Sequence, residues 1–189
     1  MNVVVCVKQI PDPANPGKFA PDTHVLARDG GLVLDDSDSY GVEMGLQLAE
    51  AAGGGEVTVV SMAPGGEISG IRTALAMGAV RAILVSDDAL AGSDALGTAK
   101  VLAAAIQRAE PDLIIAGTES TDGYTGTVPV QVAEILGLPA VSFAKRVSVA
   151  DGRLTARLQS ADGGLLFYAF GTRPSIQPLY FAWGCFRVF

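Results

Sequence analysis

The segment of this 189-residue chain best suited to chemistry is the run Gly117-Thr118-Glu119-Ser120-Thr121-Asp122-Gly123-Tyr124-Thr125-Gly126-Thr127. It joins the apolar stretch Leu113-Ile114-Ile115-Ala116 to a segment of helical period, and it holds glycines and hydroxyls but no aliphatic anchor. Glycines let backbone N–H groups approach anionic oxygens, Thr125 and Thr127 can donate hydroxyl hydrogen bonds, and a helix start adds unpaired N–H groups and the positive end of its dipole. That chemistry suits a phosphate. The same residue types also make an ordinary Asp122-Gly123 turn with threonine caps, so the loop alone leaves both readings open. The usual nucleotide fingerprints are absent: no G-x-G-x-x-G follows the first apolar run and no G-x-x-x-x-G-K-[ST] occurs anywhere. Any phosphate cradle here is of another design.

Other reactive side chains form no constellation. Asp38 and Glu43 stand where carboxylates steady a helix dipole. His24, the sole histidine, lies in a Pro-rich stretch without a Ser or Cys nucleophile near it, and reads as a surface residue. Cys6 sits in an apolar run and behaves as a small hydrophobe; with only Cys185 besides and no C-x-x-C, neither a disulfide framework nor a His/Cys metal site is supported. The residues point to binding rather than to a reaction of the chain's own.

Composition agrees. Hydrophobic residues make up 49%, charged ones 17%, and mean hydropathy is +0.38, which fits one folded globular domain with at most an excursion or tail. A net charge of -7 and a pI near 4.6 are the wrong sign for binding through nucleic-acid phosphates. The first apolar run is too short for a signal-peptide core, and no stretch reaches the roughly 18 uninterrupted apolar residues of a spanning helix. A cytoplasmic, reducing setting is expected.

The elements that must position the loop follow from hydrophobic period. Residues 3–7 are a β-branched run suited to a buried strand, and residues 11–34 form an interrupted excursion in which residues 32–34 are one arm of a hairpin. From Asp38 the period becomes helical, with Val42, Leu46 and Ala49 on one face and Gly53-Gly54-Gly55 as the stop, for about three turns. Strand-like 57–61 leads to a helical face of Ile68, Ile71 and Leu75, then strand-like 82–85. A helix capped by Ser93 or Asp94 presents Leu96, Ala99, Leu102, Ala103 and Ile106, and after the 113–116 strand a last helix presents Val128, Val132, Ile135 and Leu136. Four β-α units in series predict an α/β fold: an open, doubly wound parallel sheet, Rossmann-like, with helices on both faces. Runs 141–149 and 154–158 around Ala150-Asp151-Gly152 add a C-terminal hairpin. In such a sheet a ligand lies at the carboxyl ends of the strands near the switch in strand order, which selects the loops 6–13, 61–66, 86–94 and 117–126.

Beyond Asp162 the composition shifts: all 20 acidic residues precede Gly163, whereas 8 of the 12 aromatics follow Asp162. The chain divides into a nucleotide-binding α/β domain, 1–162, and an atypical aromatic tail, 163–189. The break is expected to mark a frame-shifted or rearranged end, or else a tail that completes the sheet or forms a hydrophobic dimer contact.

Five ordered segments resemble the β subunit of electron transfer flavoproteins. The family's opening V-x-V-K-x-[VI]-P-D is met by Val5-Cys6-Val7-Lys8-Gln9-Ile10-Pro11-Asp12, its D-x-[YF]-A-[VL]-E-E-A by residues 38–45 with two changes, and its I-R-x-A-L-A-M-G-A-D-[RK] by residues 71–81 with Val80 in place of Asp. Ala91-Gly92-Ser93-Asp94 and the stretch 112–139, with its G-x-E-S-T-D-G core, complete the set. The resemblance implies an adenine-nucleotide alpha-hydrolase-like sheet that binds AMP structurally, a heterodimer with an α subunit holding FAD, and electron shuttling from dehydrogenases to an acceptor, the β chain alone being without catalytic activity. It places adenine and ribose contacts on Cys6, on Asp35, Asp36, Ser37 and Asp38, and on Met62, and phosphate contacts on Gly117 and on Asp122, Gly123, Tyr124, Thr125 and Gly126. Bifurcating members would hold a second FAD in the AMP place. A stand-alone adenine-nucleotide-binding module similar to universal stress proteins is the rival.

Two departures bear on this. Many relatives have Asn-Pro-Phe where Asp35-Asp36-Ser37 stands, which removes a ring and an amide and brings carboxylates that would repel phosphate. The D-G-G turn is met by Asp162-Gly163-Gly164, but the N-E-P-R partner-recognition loop that follows it in relatives is not matched in 165–189, so dehydrogenase docking lacks its usual loop.

Overall fold

Three consecutive valines suit a strand buried on both faces, and β1 (Asn2–Cys6) lies inside the sheet with Val3, Val4 and Val5 at most 1% exposed. The computed structural model describes residues 1–28 and 30–158 with their side chains, and the backbone alone of 159, 165–171 and 179–183. After β1, β2 (Gln9–Pro11) pairs antiparallel with β3 (Leu32–Leu34), closing the base of the excursion between them as the expected hairpin.

The β-α series then runs as the periodicity predicts: α1 (Asp36–Ala51), β4 (Glu56–Met62), α2 (Ser69–Met77), β5 (Arg81–Val85), α3 (Ala95–Gln107), β6 (Leu113–Gly117) and α4 (Val128–Leu136). It continues through β7 (Ala140–Ala150), β8 (Arg153–Gln159), β9 (Leu165–Gly171) and β10 (Leu179–Trp183). One eight-stranded sheet results, in the order β5-β4-β1-β6-β10-β7-β8-β9, with β5 to β7 parallel and β8 and β9 antiparallel. The helices cover both faces. Val3, Val5, Val57, Val59 and Ile115 pack with α1 and α2, whereas Val4, Val60 and Ile114 pack with α3 and α4.

Helix α1 sits close on β1 because Gly41 and Gly45 face it: a Cβ at either would come 3.2–3.3 Å from the methyls of Val5. The β7–β8 hairpin closes on Asp151 (φ 51°) and Gly152 (φ 68°), a two-residue turn with both φ positive, whose twist matches that of the strands.

The structure corrects several expectations. Helix α1 begins two residues before Asp38 and runs for 16 residues, because Asp35 caps it. Ile68, Leu75, Leu96 and Ile135 are 38–46% exposed rather than part of the buried faces. On α2 the buried face is instead Gly70, Ile71 and Ala74, with Gly70 close against Gln9 and Leu34 of the β2–β3 hairpin. One expected arrangement of the tail is met rather than corrected, since strands after Asp162 complete the sheet: β9 pairs with β8, and β10 lies parallel between β6 and β7. The D-G-G turn at 162–164 and the tail's aromatic side chains lie outside the described residues.

Candidate functional site

Strand β1 is flanked by β4 and β6, and the chain leaves it first toward β4 and β5, then returns to β6 on the other side. Successive loops therefore diverge between the carboxyl ends of β1 and β6 and open a crevice there. The segment after β1, the loop after β6, and the starts of α1 and α4 converge on this edge.

The start of α1 has a buried carboxylate as its acceptor. Asp35 is 0% exposed, and its carboxylate accepts from the Ser37 amide (3.0 Å) and hydroxyl (2.7 Å) and from the Thr121 amide (2.8 Å) and hydroxyl (2.9 Å). One carboxylate thus caps a helix and pins the loop after β6. Asp38, also buried, accepts from the Lys8 amide (2.6 Å) and from the Gly117 amide, tying the end of β1 to the end of β6. Gly117 has to be glycine for this: a Cβ would lie 2.9 Å from Asp38 Oδ1 and 3.1 Å from Ser37 Oγ. Burial pushes the Asp38 carboxyl up to about 8 against the pull of the Lys8 amide, so it is mostly protonated at neutral pH. Burial, and after it Asp38, push the Cys6 thiol up to about 12, which makes Cys6 an inert thiol.

The start of α4 is built the other way. Thr127 makes no side-chain cap, and Pro129 stands in the first turn. Among the described residues the amides of Thr125, Gly126 and Thr127 donate to nothing. The other α-helices have acceptors at their starts: Asp35 at α1, Glu67 and Gln9 at α2, Asp94 at α3. Beside the open amides, Lys8 Nζ donates to Ser120 Oγ (3.0 Å) and Asp122 Oδ1 (2.7 Å), and Arg28 donates to Asp122 Oδ2. On the side of Gly123 where a Cβ would stand, Ser120 Oγ (3.7 Å), Thr125 Oγ1 (3.9 Å) and Lys8 Nζ (4.0 Å) converge on one point. Burial pushes the Asp122 carboxyl up, but the hydrogen bonds from Lys8 and Arg28 outweigh it and hold the group below its ordinary range.

The predicted site residues fall into two groups. Cys6 and Met62, at the ends of neighbouring strands, are partly buried against the apolar layer under α3 and α4, as are Val85 and Val128. Gly123, Tyr124 and Thr125 are exposed in the loop, Tyr124 and Gly126 with φ of 49° and 66°. Asp35, Ser37 and Asp38 instead turn inward and bond to the scaffold, and Asp36 is exposed to solvent. The Asp122 carboxylate, 3% exposed, is taken by the two cations. The Asp35 carboxylate therefore does not face the loop amides as a repelling charge. Lys8 and Arg28 are the residues that sequence reasoning passed over. Lys8 carried a signal, its place directly after the central strand, whereas Arg28 carried none.

Comparison with known proteins settles the family. The electron transfer flavoprotein domain matches residues 23–166. Electron transfer flavoprotein subunit beta of Mycobacterium tuberculosis (strain ATCC 25618 / H37Rv) is 39% identical over 181 residues, covering 93% of this chain and 67% of the relative. The chain belongs to the electron transfer flavoprotein β-subunit family. The β subunit of Clostridium acetobutylicum is 37% identical over 164 residues, covering 86% of the chain and 62% of the relative. The caffeyl-CoA reductase-Etf complex subunit CarD of Acetobacterium woodii is 35% identical over 165 residues, 86% of the chain and 63% of the relative. This β-subunit relative thus spans about two thirds of the length of the curated proteins it matches. Among its described residues no helix is long and apolar enough to cross a membrane, and no group of three or more His, Cys, Asp or Glu could hold a metal ion.

Proposed function

We propose that the chain is the β half of a two-subunit electron carrier, holding AMP as a structural nucleotide and pairing with an FAD-bearing α subunit that carries electrons from dehydrogenases to an acceptor, in the cytoplasm. The observation that carries the nucleotide part is the unpartnered α4 start. Three amides without acceptors follow the point near which Ser120 Oγ, Thr125 Oγ1 and Lys8 Nζ converge, in the loop whose glycines and hydroxyls suit a phosphate. Cys6, Met62 and Val128, which pack on one apolar layer, would offer apolar surface to the flat face of a base. Family membership supports the electron-carrier part.

In this reading the phosphate contacts come from the amides of Thr125 and Gly126, the Thr125 hydroxyl and the Lys8 side chain. Gly117, Gly123 and Tyr124 shape the loop, and Asp122 contributes through its grip on the cations. Asp35, Ser37 and Asp38 position, and any contact from this segment to the nucleotide is made by Asp36, its exposed residue. The flavin of the partner supplies the redox chemistry when bound; this chain binds, orients and shields, and transforms nothing.

Co-expression with a candidate α chain, followed by release and identification of the bound nucleotides, tests the proposal. One AMP and one FAD per heterodimer is the expected result. Two FAD would assign the bifurcating arrangement to this site, and a flavin-free homodimer that binds adenine nucleotides would overturn the electron-carrier reading in favour of a stand-alone nucleotide module.

A further inference from the structure

We infer that the Arg28–Asp122 ion pair makes residues 12–28 a strap whose order is coupled to anion occupancy of the loop after β6, an inference that rests on the nucleotide reading above. No residue from 12 to 28 is buried. The hydrogen bonds of this segment run within it: Ala20 N–H to Val25 O, His24 N–H to Ala20 O, Ala27 N–H to Lys18 O, with Phe19 bridging to Leu26. A cleft of about 400 Å³ lies against it, lined by Pro11, Asn15, Pro16, Lys18 and Ala27 among others. Among the described residues, the one polar tie from 12–28 to the rest of the protein is Arg28 to Asp122, across 94 positions of sequence.

The far end of that tie is a member of the candidate phosphate loop. An exposed ion pair contributes little, but here the acceptor is 3% exposed and takes two cations at once, the geometry in which charge-assisted bonds hold position. Two cations share the one carboxylate, and Asp35, whose oxygens accept from Ser37 and Thr121, pairs with neither of them. Arg28 and Lys8 also keep N–H donors beyond those Asp122 and Ser120 take. A phosphate seated on the open amides adds an acceptor to cations already held in place, so it tightens the strap, and by reciprocity a tethered strap strengthens anion binding by the same factor.

Amide hydrogen exchange on the full chain, read at Ala20, His24 and Ala27 with AMP as the probe, tests this, with calorimetric AMP titration of the same samples. In the wild type, saturating AMP slows exchange at these amides about fivefold or more. R28Q exchanges faster than wild type without AMP, shows no AMP effect at the strap and binds AMP more weakly, R28K restores most of the protection, and an unchanged rate at Val5 shows that the core is intact. Calorimetric AMP binding with strap amides indifferent to it, or R28Q behaving as wild type, overturns the strap and leaves the nucleotide reading standing. Absence of AMP binding in the wild type overturns that reading and the strap with it.

Discussion

The starts of α1 and α4 stand at the same edge of the sheet, on opposite faces, and are built in opposite ways. At α1 a buried carboxylate meets four donors from two segments, while at α4 the first amides meet no acceptor. Both lie beside residues that the family resemblance assigns to the nucleotide. The difference separates them: a buried acid whose oxygens are all taken belongs to the scaffold, whereas donors left without partners at a crevice are where an anion gains most.

Breaking the scaffold side carries the largest expected effect. Asp35→Ala leaves the amides and hydroxyls of Ser37 and Thr121 without their acceptor inside the protein, and urea unfolding should show a loss of about 3 kcal/mol. The open side should respond in affinity instead. Gly126→Ala forces a side chain onto φ 66° at a cost of about 1 kcal/mol in stability, and AMP binding measured by calorimetry should fall about tenfold.

Acidity sharpens the contrast further. The folded Asp38 carboxyl takes up its proton near pH 8 and the unfolded one near 3.8, so between these values the native chain binds more protons. Unfolding free energy should therefore fall as pH rises from about 4 to about 8 and level off above, and Asp38→Asn should flatten that slope in denaturation curves taken across the window. Asp122 has the opposite sign: its lowered pKa gives stability that is present above the ordinary carboxylate range and lost as pH falls through the folded value, so Asp122→Asn should lower stability at neutral pH and flatten the acid limb, the two proteins converging at low pH. The smallest effect is expected at Glu119, whose carboxylate oxygen lies 3.3 Å from the place of a Gly126 Cβ; Glu119→Gln should strengthen AMP binding about twofold by removing a nearby like charge.

How far this was legible in the sequence depends on the range of the interaction. The β-α series and the β7–β8 turn are written in local periods and in Asp151-Gly152, and the structure reproduces them. The loop 117–126 stood out through its glycines and hydroxyls, and the structure puts it directly after β6, beside the switch in strand order. The division of labour among Asp35, Asp36 and Asp38 was not legible, because three acids within four positions are alike until burial selects which turn inward. Leu96 and Ile135 fit the helical period, yet the layer on that face is filled by Ala99, Ala103, Val132 and Ala133. The Arg28–Asp122 contact and the place of β10 between β6 and β7 are products of the sheet order, for which no local pattern exists.

The central claim is that the α4 start, and not the α1 start, receives the phosphate. Calorimetric titration of the full chain with AMP and with adenosine, side by side, tests it most directly. The account predicts that AMP binds at least about tenfold more tightly than adenosine and that Thr125→Val removes most of that difference. Equal affinity for the two ligands, or a difference that survives Thr125→Val and Gly126→Ala together, would contradict it.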